Sequence, residues 1–290
     1  MSHPSRAEIH ASLVTNLDSD SPPIGISLLK SDLPEDIERP ARQRAFCEVI
    51  ALSRREGRVI GITKDDIDCP FALEALGLKN LSWERVTEIA ASKQFGPHTI
   101  EFITTFPMIA KSGCNSIVIG PLEDLPSNPD VVLIHGYADK ILKLVNAWIW
   151  MRGKPINVGF QGIGGICSES VAAAYNKGGP TICALPCKGS IQLGKLEDGV
   201  MIFASPYNLL EELIEGLREI ELPPEDAESF IMKLLGNKGR MTTRAITREL
   251  LMFIPRCPDY PAQLLARMRS NGKIKSKLSP KDKGLVWLIT

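Results

Sequence analysis

The chain has 290 residues, with 34 basic and 34 acidic side chains, 44% apolar residues and 23% charged ones, a balance that excludes a largely disordered polymer. No run approaches the roughly 18 consecutive apolar residues of a membrane span, and the polar start, Met1 to Glu8, lacks the apolar centre of a signal peptide, so a cytoplasmic protein with no membrane partner is expected. Zero net charge hides an asymmetry: residues 226–290 hold 13 Lys/Arg and 5 Asp/Glu while the rest hold 21 and 29, which sets a basic module against an acidic body.

The length exceeds one typical domain, and the residue pattern predicts three parts. Residues 1–22 form a tail or first helix, 23–222 a cysteine-bearing α/β body, and 223–290 a small basic domain. Seven cysteines, odd in number and widely spread, do not make the dense even framework of a secreted miniprotein. Free thiols, metal ligands or an iron–sulfur cluster remain.

In chain order, the body opens with a predicted helix over Arg39–Glu56, with Ala45, Val49, Ile50 and Leu52 as its apolar stripe and Gly57 as its stop. A strand, Val59 to Thr63, follows. Asp68, Cys69 and Pro70 then start a helix over Phe71–Leu76, which Gly77 ends. The same order returns about a hundred residues later, as a helix over Asp139–Met151, Gly153, a strand over Ile156–Phe160, a glycine-rich loop, Cys167 and a helix over Ser168–Tyr175. Two apolar runs, Asp130 to His135 and Gly199 to Phe203, each lead into a helix. They are preceded by strands at Ser116–Ile119 and Thr181–Leu185. This self-similarity predicts a duplicated α/β body about a pseudo-two-fold axis.

Cys69 and Cys167 both stand at predicted helix starts, where amides and the helix dipole favour a thiolate, a metal or an anion. Cys187 lies in the turn Leu185-Pro-Cys-Lys-Gly189, and Cys47 lies on the helix before the first strand. No CxxC pair exists, so a site must gather sulfur from distant segments. Cys47, Cys69, Cys167 and Cys187 are the candidate ligands of an iron–sulfur cluster of the four-iron type or of another soft metal. With no cofactor at all, they would be small buried hydrophobes, the reading preferred for Cys114 and Cys257. The loop carrying Gly162, Gly164 and Gly165, followed by Ser168 and joined by Lys188, is a candidate ligand or phosphate cradle. It departs from the dinucleotide pattern. His135, at a strand end, is expected to be a satisfied structural histidine. No hydrolytic signature stands out.

On Pro23-Ile-Gly-Ile-Ser27, Phe46-Cys-Glu48, Asp68-Cys-Pro-Phe-Ala-Leu-Glu-Ala-Leu-Gly77, Pro129-Asp-Val-Val-Leu133, Cys167-Ser-Glu-Ser-Val-Ala172 and Leu185-Pro-Cys-Lys-Gly189, the body resembles domain-of-unknown-function family 169. The likeness runs from about Pro23 to Leu217 and excludes the basic domain. It implies that Cys47 and Cys69 sit at characteristic family positions and implies no reaction. An arginine expected after the Pro-Cys-x-Gly turn is replaced here by Ser190 and Ile191.

Past Pro223 and Pro224, the basic domain reads as a helix over Glu225–Leu235, an extended piece over Gly239–Met241, and a helix capped by Thr242 or Thr243 that runs to Leu251. A third helix, Asp259 to Ser270, and two strands, Lys273–Leu278 and Leu285–Ile289, complete it. That is the winged-helix order. Gln263, Arg267 and Arg269 would face the major groove, and Lys273, Lys275, Lys277, Lys281 and Lys283 would meet phosphates. The expected function is a cysteine-ligated iron–sulfur or metal sensor that regulates transcription as a DNA-binding homodimer. The alternative is an iron–sulfur redox enzyme or cluster-dependent accessory protein with the winged helix as a protein-docking module.

Overall fold

A computed structural model describes residues 4–79, 84, 98, 101, 105–109, 114–220, 224–251 and 260–290, the side chains of 224–226 excepted. Expectations for Pro223, Cys257 and the Asp259 helix start lie outside these residues. The fold is α/β, divided into two compact units, Met1–Glu215 and Gly216–Thr290.

Unit one is built on a seven-stranded sheet. Its strands are β1 (Ile24–Leu29), β2 (Ile60–Thr63), β3 (Ser116–Pro121), β4 (Val131–Gly136), β5 (Asn157–Gly159), β6 (Thr181–Cys183) and β7 (Met201–Pro206). They lie in the order β2-β3-β1-β4-β7-β6-β5. β1, which no alternation of polar and apolar residues announces, sits inside the sheet and pairs antiparallel with both β3 and β4. Every residue of β3 and β4 is buried. Such strands read as continuous apolar runs because both faces are covered. Burying an isoleucine such as Ile26 or Ile119 contributes roughly 1.5–3 kcal/mol, and β-branched side chains suit the pleat.

The repeated units end on opposite edges of this sheet, since β2 and β5 are its two outer strands. Their pairing differs in sense. β2 runs antiparallel to β3, whereas β5 runs parallel to β6. The order of elements repeats, but the strand directions do not, so a strict two-fold axis does not relate the halves.

Among the described residues, four helices precede the glycine loop: α1 (Arg6–Leu17), α2 (Phe46–Glu56), α3 (Pro70–Ala75) and α4 (Ala138–Arg152). The N-terminal stretch is a true helix. Ser5 and Glu8 form a reciprocal capping box, satisfying amides that a helix start leaves unpaired, and Ile9, Leu13 and Leu17 are buried. α2 is shorter than expected. It begins at Phe46, because Arg39 to Ala45 is non-helical and is held at Arg44 to the loop that follows β2: the Arg44 amide donates to the Asp66 carbonyl, and the Asp68 amide to the Arg44 carbonyl. Arg39 locks this arrangement with a 2.8 Å ion pair to Asp66, whose carboxylate also accepts from the Thr63 amide.

The expected helix over Ser168–Tyr175 starts earlier and is wider. Gly165–Ala172 is a π-helix that runs on as α5 (Ala173–Lys177). The Ala173 amide reaches back five residues to the Ser168 carbonyl, and Ser170 Oγ donates to the Gly165 carbonyl at 2.8 Å. π-turns of this kind are uncommon and cluster at functional sites. A short helix, α6 (Lys188–Gln192), leads towards β7, and α7 (Leu210–Ile220) crosses the unit boundary.

Unit two contains α8 (Pro224–Lys238), β8 (Arg240–Thr242), α9 (Thr243–Leu251), α10 (Tyr260–Ser270), β9 (Ile274–Ser279) and β10 (Gly284–Ile289). The three strands form an antiparallel sheet in the order β8-β10-β9. α8 passes through Gly236 and stops at Gly239, whose φ of 74° is left-handed. Thr242 Oγ1 accepts from the Ala245 amide at 3.1 Å, capping α9. Thr243 instead accepts from Trp287 Nε1 at 2.8 Å, fixing the indole in a core of Ile231, Leu235, Ile246, Leu250, Leu264, Leu265 and Met268.

Candidate cysteine site

Each of the four sulfur-bearing residues singled out in the sequence stands at the start of a helix, in its first turn or at its N-cap. Cys47 is the second residue of α2, Cys69 precedes α3 as its N-cap, Cys167 lies in the first turn of the π-helix, and Cys187 is the N-cap of α6. The hydrogen bonds between the Arg44 and Asp66–Asp68 segments place the starts of α2 and α3 side by side, which brings Cys47 next to Cys69.

The second pair meets through Gly165. A methyl group there would fall 3.1 Å from the Cys187 amide nitrogen and 3.3 Å from Pro186 Cα. Only glycine lets the π-helix start approach the Pro-Cys turn this closely. Gly189 closes the group: the point a Cβ would occupy on it is 3.8 Å from both the Cys47 and Cys187 sulfurs. Those two sulfurs are therefore within twice that distance of one another. Cys47 lies within electrostatic reach of Cys187 and Cys69, Cys69 within reach of Cys187, and Cys167 within reach of the other three.

Burial raises Cys47 to about 12, with repulsion from Cys187 and Cys69 adding to it and the Glu48 amide opposing it. Burial likewise raises Cys69, against the amides of Ala72 and Phe71. Cys167 is pushed well up by burial and then by the other three thiols. The chemical meaning is a competition. Helix-start amides offer hydrogen bonds to sulfur, but four anions cannot share an apolar pocket without a cation. A bound cation reverses that balance and deprotonates coordinating thiols outright. Cys47, Cys69 and Cys187 are only partly buried, which leaves a route for delivery.

The donor set is all sulfur, which suits iron–sulfur clusters and soft metals. Among the described residues, no group of three or more His, Cys, Asp or Glu side chains already has the spacing that holds a metal ion. The thiols converge without closing on a single point.

Several neighbours carry no sequence signal. Ser190 Oγ is 3.1 Å from Cys187 Sγ. Cys183, fully buried, faces the carboxylate of Glu169. One Glu169 oxygen accepts from the Gln161 amide, and the other is buried without a hydrogen-bond partner. The candidate cradle is divided. Gly164 (φ 65°) and Gly165 pack against the cysteines, Gly162 and Lys188 are exposed, and the Ser168 hydroxyl is already donated to the Pro107 carbonyl at 2.8 Å. Cys114 is buried, its thiol donating to the Ser116 carbonyl, and burial raises it to about 12.

On the basic unit, Gln263, Arg267 and Arg269 are exposed on α10, and Lys273, Lys275, Lys277, Lys281 and Lys283 are exposed on or beside the hairpin. Arg267 and Lys273 both pair with Glu228, at 3.1 and 2.6 Å, and Arg269 donates to Ser276 Oγ at 3.1 Å. Among the described residues no helix is long and apolar enough to cross a membrane.

A family model for domain-of-unknown-function family 169, described as uncharacterised ArCR, matches residues 12–216, and the chain belongs to this family. It is similar to an uncharacterised protein of Methanocaldococcus jannaschii, with 24% identity over 205 residues, covering 68% of this chain and 87% of the relative. No solved structure matches the chain. The matched span includes all four clustered cysteines and ends before α8.

Proposed function

We propose that this member of family 169 is a sensor and regulator, in which Cys47, Cys69, Cys167 and Cys187 hold an iron–sulfur cluster or another soft metal and a C-terminal winged helix binds DNA, the protein acting as a homodimer. The observation that carries this reading is the meeting of four thiols from four separate helix starts. Buried free cysteine alone does not require such convergence. Thiolates on one tetrahedral zinc ion, with Zn–S about 2.3 Å, lie under about 4 Å apart. A group that is coupled yet open better suits a multi-iron cluster, with the Glu48, Phe71, Ala72 and Ser168 amides tuning it by hydrogen bonds to sulfur.

For the basic unit, support comes from the order helix, strand, helix, helix, hairpin and from the exposed cations of α10 and the hairpin. α10 would enter the major groove, and the hairpin lysines would meet phosphates. The state of the metal site would act by favouring one arrangement of the DNA-binding units over another. Purification without oxygen, an absorption spectrum, and iron, zinc and sulfide analysis test the first half. A colourless protein that stays metal-free after reconstitution overturns it. Duplex DNA binding at low salt tests the second half, and its absence overturns that half alone.

The alternative, a redox enzyme or cluster-dependent accessory protein with a docking module, draws on two features of unit two. Glu228 neutralises two of the candidate DNA contacts, and the cross-strand pair Leu278 and Leu285 is exposed near the hairpin tip. It predicts cluster-dependent chemistry that is indifferent to DNA.

A further inference from the structure

A cavity of about 460 Å³ lies at the end of β4, lined by the loop Ser19–Ser21, Arg54 and Arg55 of α2, His135 to Tyr137, Lys140, Glu197 and Val200. That size is in the range of small-molecule sites. His135 is 5% exposed, and among the described residues neither ring nitrogen has a hydrogen-bond partner; the Ser21 hydroxyl is likewise buried and unpartnered among them. Orphaned groups of this kind are uncommon in native interiors and call for an explanation. The chain turns from His135 directly into α4, whose N-terminus opens at Tyr137 with no side-chain cap. The helix start therefore presents amides and positive dipole to the same cavity.

Charge around the cavity is mixed but tilted towards cations. Arg54, Arg55 and Lys140 face Asp20 and Glu197. Arg54 is tied to the rim, donating to the Lys195 carbonyl at 3.2 Å and lying 3.7 Å from Glu197, and Lys140 donates to the Asp18 carbonyl. Both keep further donors. A neutral imidazole supplies one donor and one acceptor, which matches a ligand hydroxyl better than a bare ion.

We infer that this cavity is a binding site for a small oxyanion, carboxylate or phosphate, that carries a hydroxyl group: the oxyanion at the α4 start and the cations, the hydroxyl at His135 and Ser21. The site uses none of the cysteines.

Calorimetric titration of the full chain with glycerate and, separately, with glycerol 3-phosphate tests it and distinguishes the two oxyanions. Saturable binding of one or both is expected, with affinity at least tenfold lower in His135→Asn and several-fold lower in Lys140→Ala. Binding unchanged in Cys69→Ser would keep the result separate from the metal site. If His135→Asn does not give a cooperative unfolding transition, Lys140→Ala decides, because that side chain stands at the rim. No binding of either probe by the unaltered protein, or equal binding by a folded His135→Asn and by Lys140→Ala, overturns the inference.

Discussion

The two ends of α2 carry opposite kinds of unsatisfied group. At its start, four thiols meet in a mostly apolar setting. At its last turns, Arg54 and Arg55 line a polar cavity beside a buried imidazole with no partner among the described residues. A thiol is a weak hydrogen-bonding group and rests protonated at little cost. An orphaned imidazole loses about 1–3 kcal/mol for each unmade bond. The cysteine site can thus exist stably in an unloaded state, whereas the histidine cavity is destabilising until filled.

The largest expected effect falls on the first end. Replacing Cys69 or Cys167 by serine should remove most of the bound metal after anaerobic reconstitution, read as iron, zinc and sulfide per chain. Full retention in both variants would break the four-ligand reading.

Gly165→Ala comes next. The new methyl meets the Cys187 amide nitrogen and Pro186 Cα, which are backbone and cannot swing away. A loss of about 1–3 kcal/mol in urea unfolding is expected, together with reduced metal loading. An unchanged midpoint would show that the Pro-Cys turn yields.

At the second end, burial and the Arg54 charge lower His135 to about 3. Its ordinary value is near 6.5. Between these limits the unfolded chain takes up a proton and the folded one does not. This contribution to stability is therefore complete above about pH 6.5 and lost as pH falls towards 3. Urea unfolding at pH 6.5 and pH 5 should differ by about 1.5 kcal/mol from this residue, and His135→Asn should lose that part of the slope. Arg54 acts on the charge of the ring, while Arg55, Lys140, Asp20 and Glu197 line the same cavity, so Arg54→Ala should shift the midpoint of this loss.

The smallest effects belong to the basic unit. Lys281→Ala and Lys283→Ala should each reduce the log–log salt slope of DNA binding by about 1. Arg267→Ala should change it less, because Glu228 already neutralises that side chain.

Local chemistry was legible in the sequence wherever it is short-range. Gly57 and Gly153 end helices with left-handed backbone, and the order of elements in the basic unit follows from period and turn residues. The charge split between the two parts was a matter of counting. Two of the candidate cysteines, Cys69 and Cys187, stand directly beside a proline at an element junction, which is a signal the sequence alone carries.

Other features were decided only in three dimensions. α2 starts at Phe46 rather than Arg39 because the preceding non-helical segment is held by Asp66 and Arg39, partners 27 residues apart. β1 follows Pro22-Pro23 and contains Gly25, and it is an interior strand because β3 and β4, from distant sequence, pair on either side of it. The π-helix depends on Ser168 and Ser170 reaching carbonyls that no periodicity reveals. His135 was expected to be satisfied, and only the packing of β4 against α2 and the Ser19–Ser21 loop leaves it without a partner among the described residues. Sequence alone determines helix caps, turns and charge because these act over a few residues. Which sulfurs meet, and which polar group is left alone, is set by contacts across scores of residues that only the folded chain brings together.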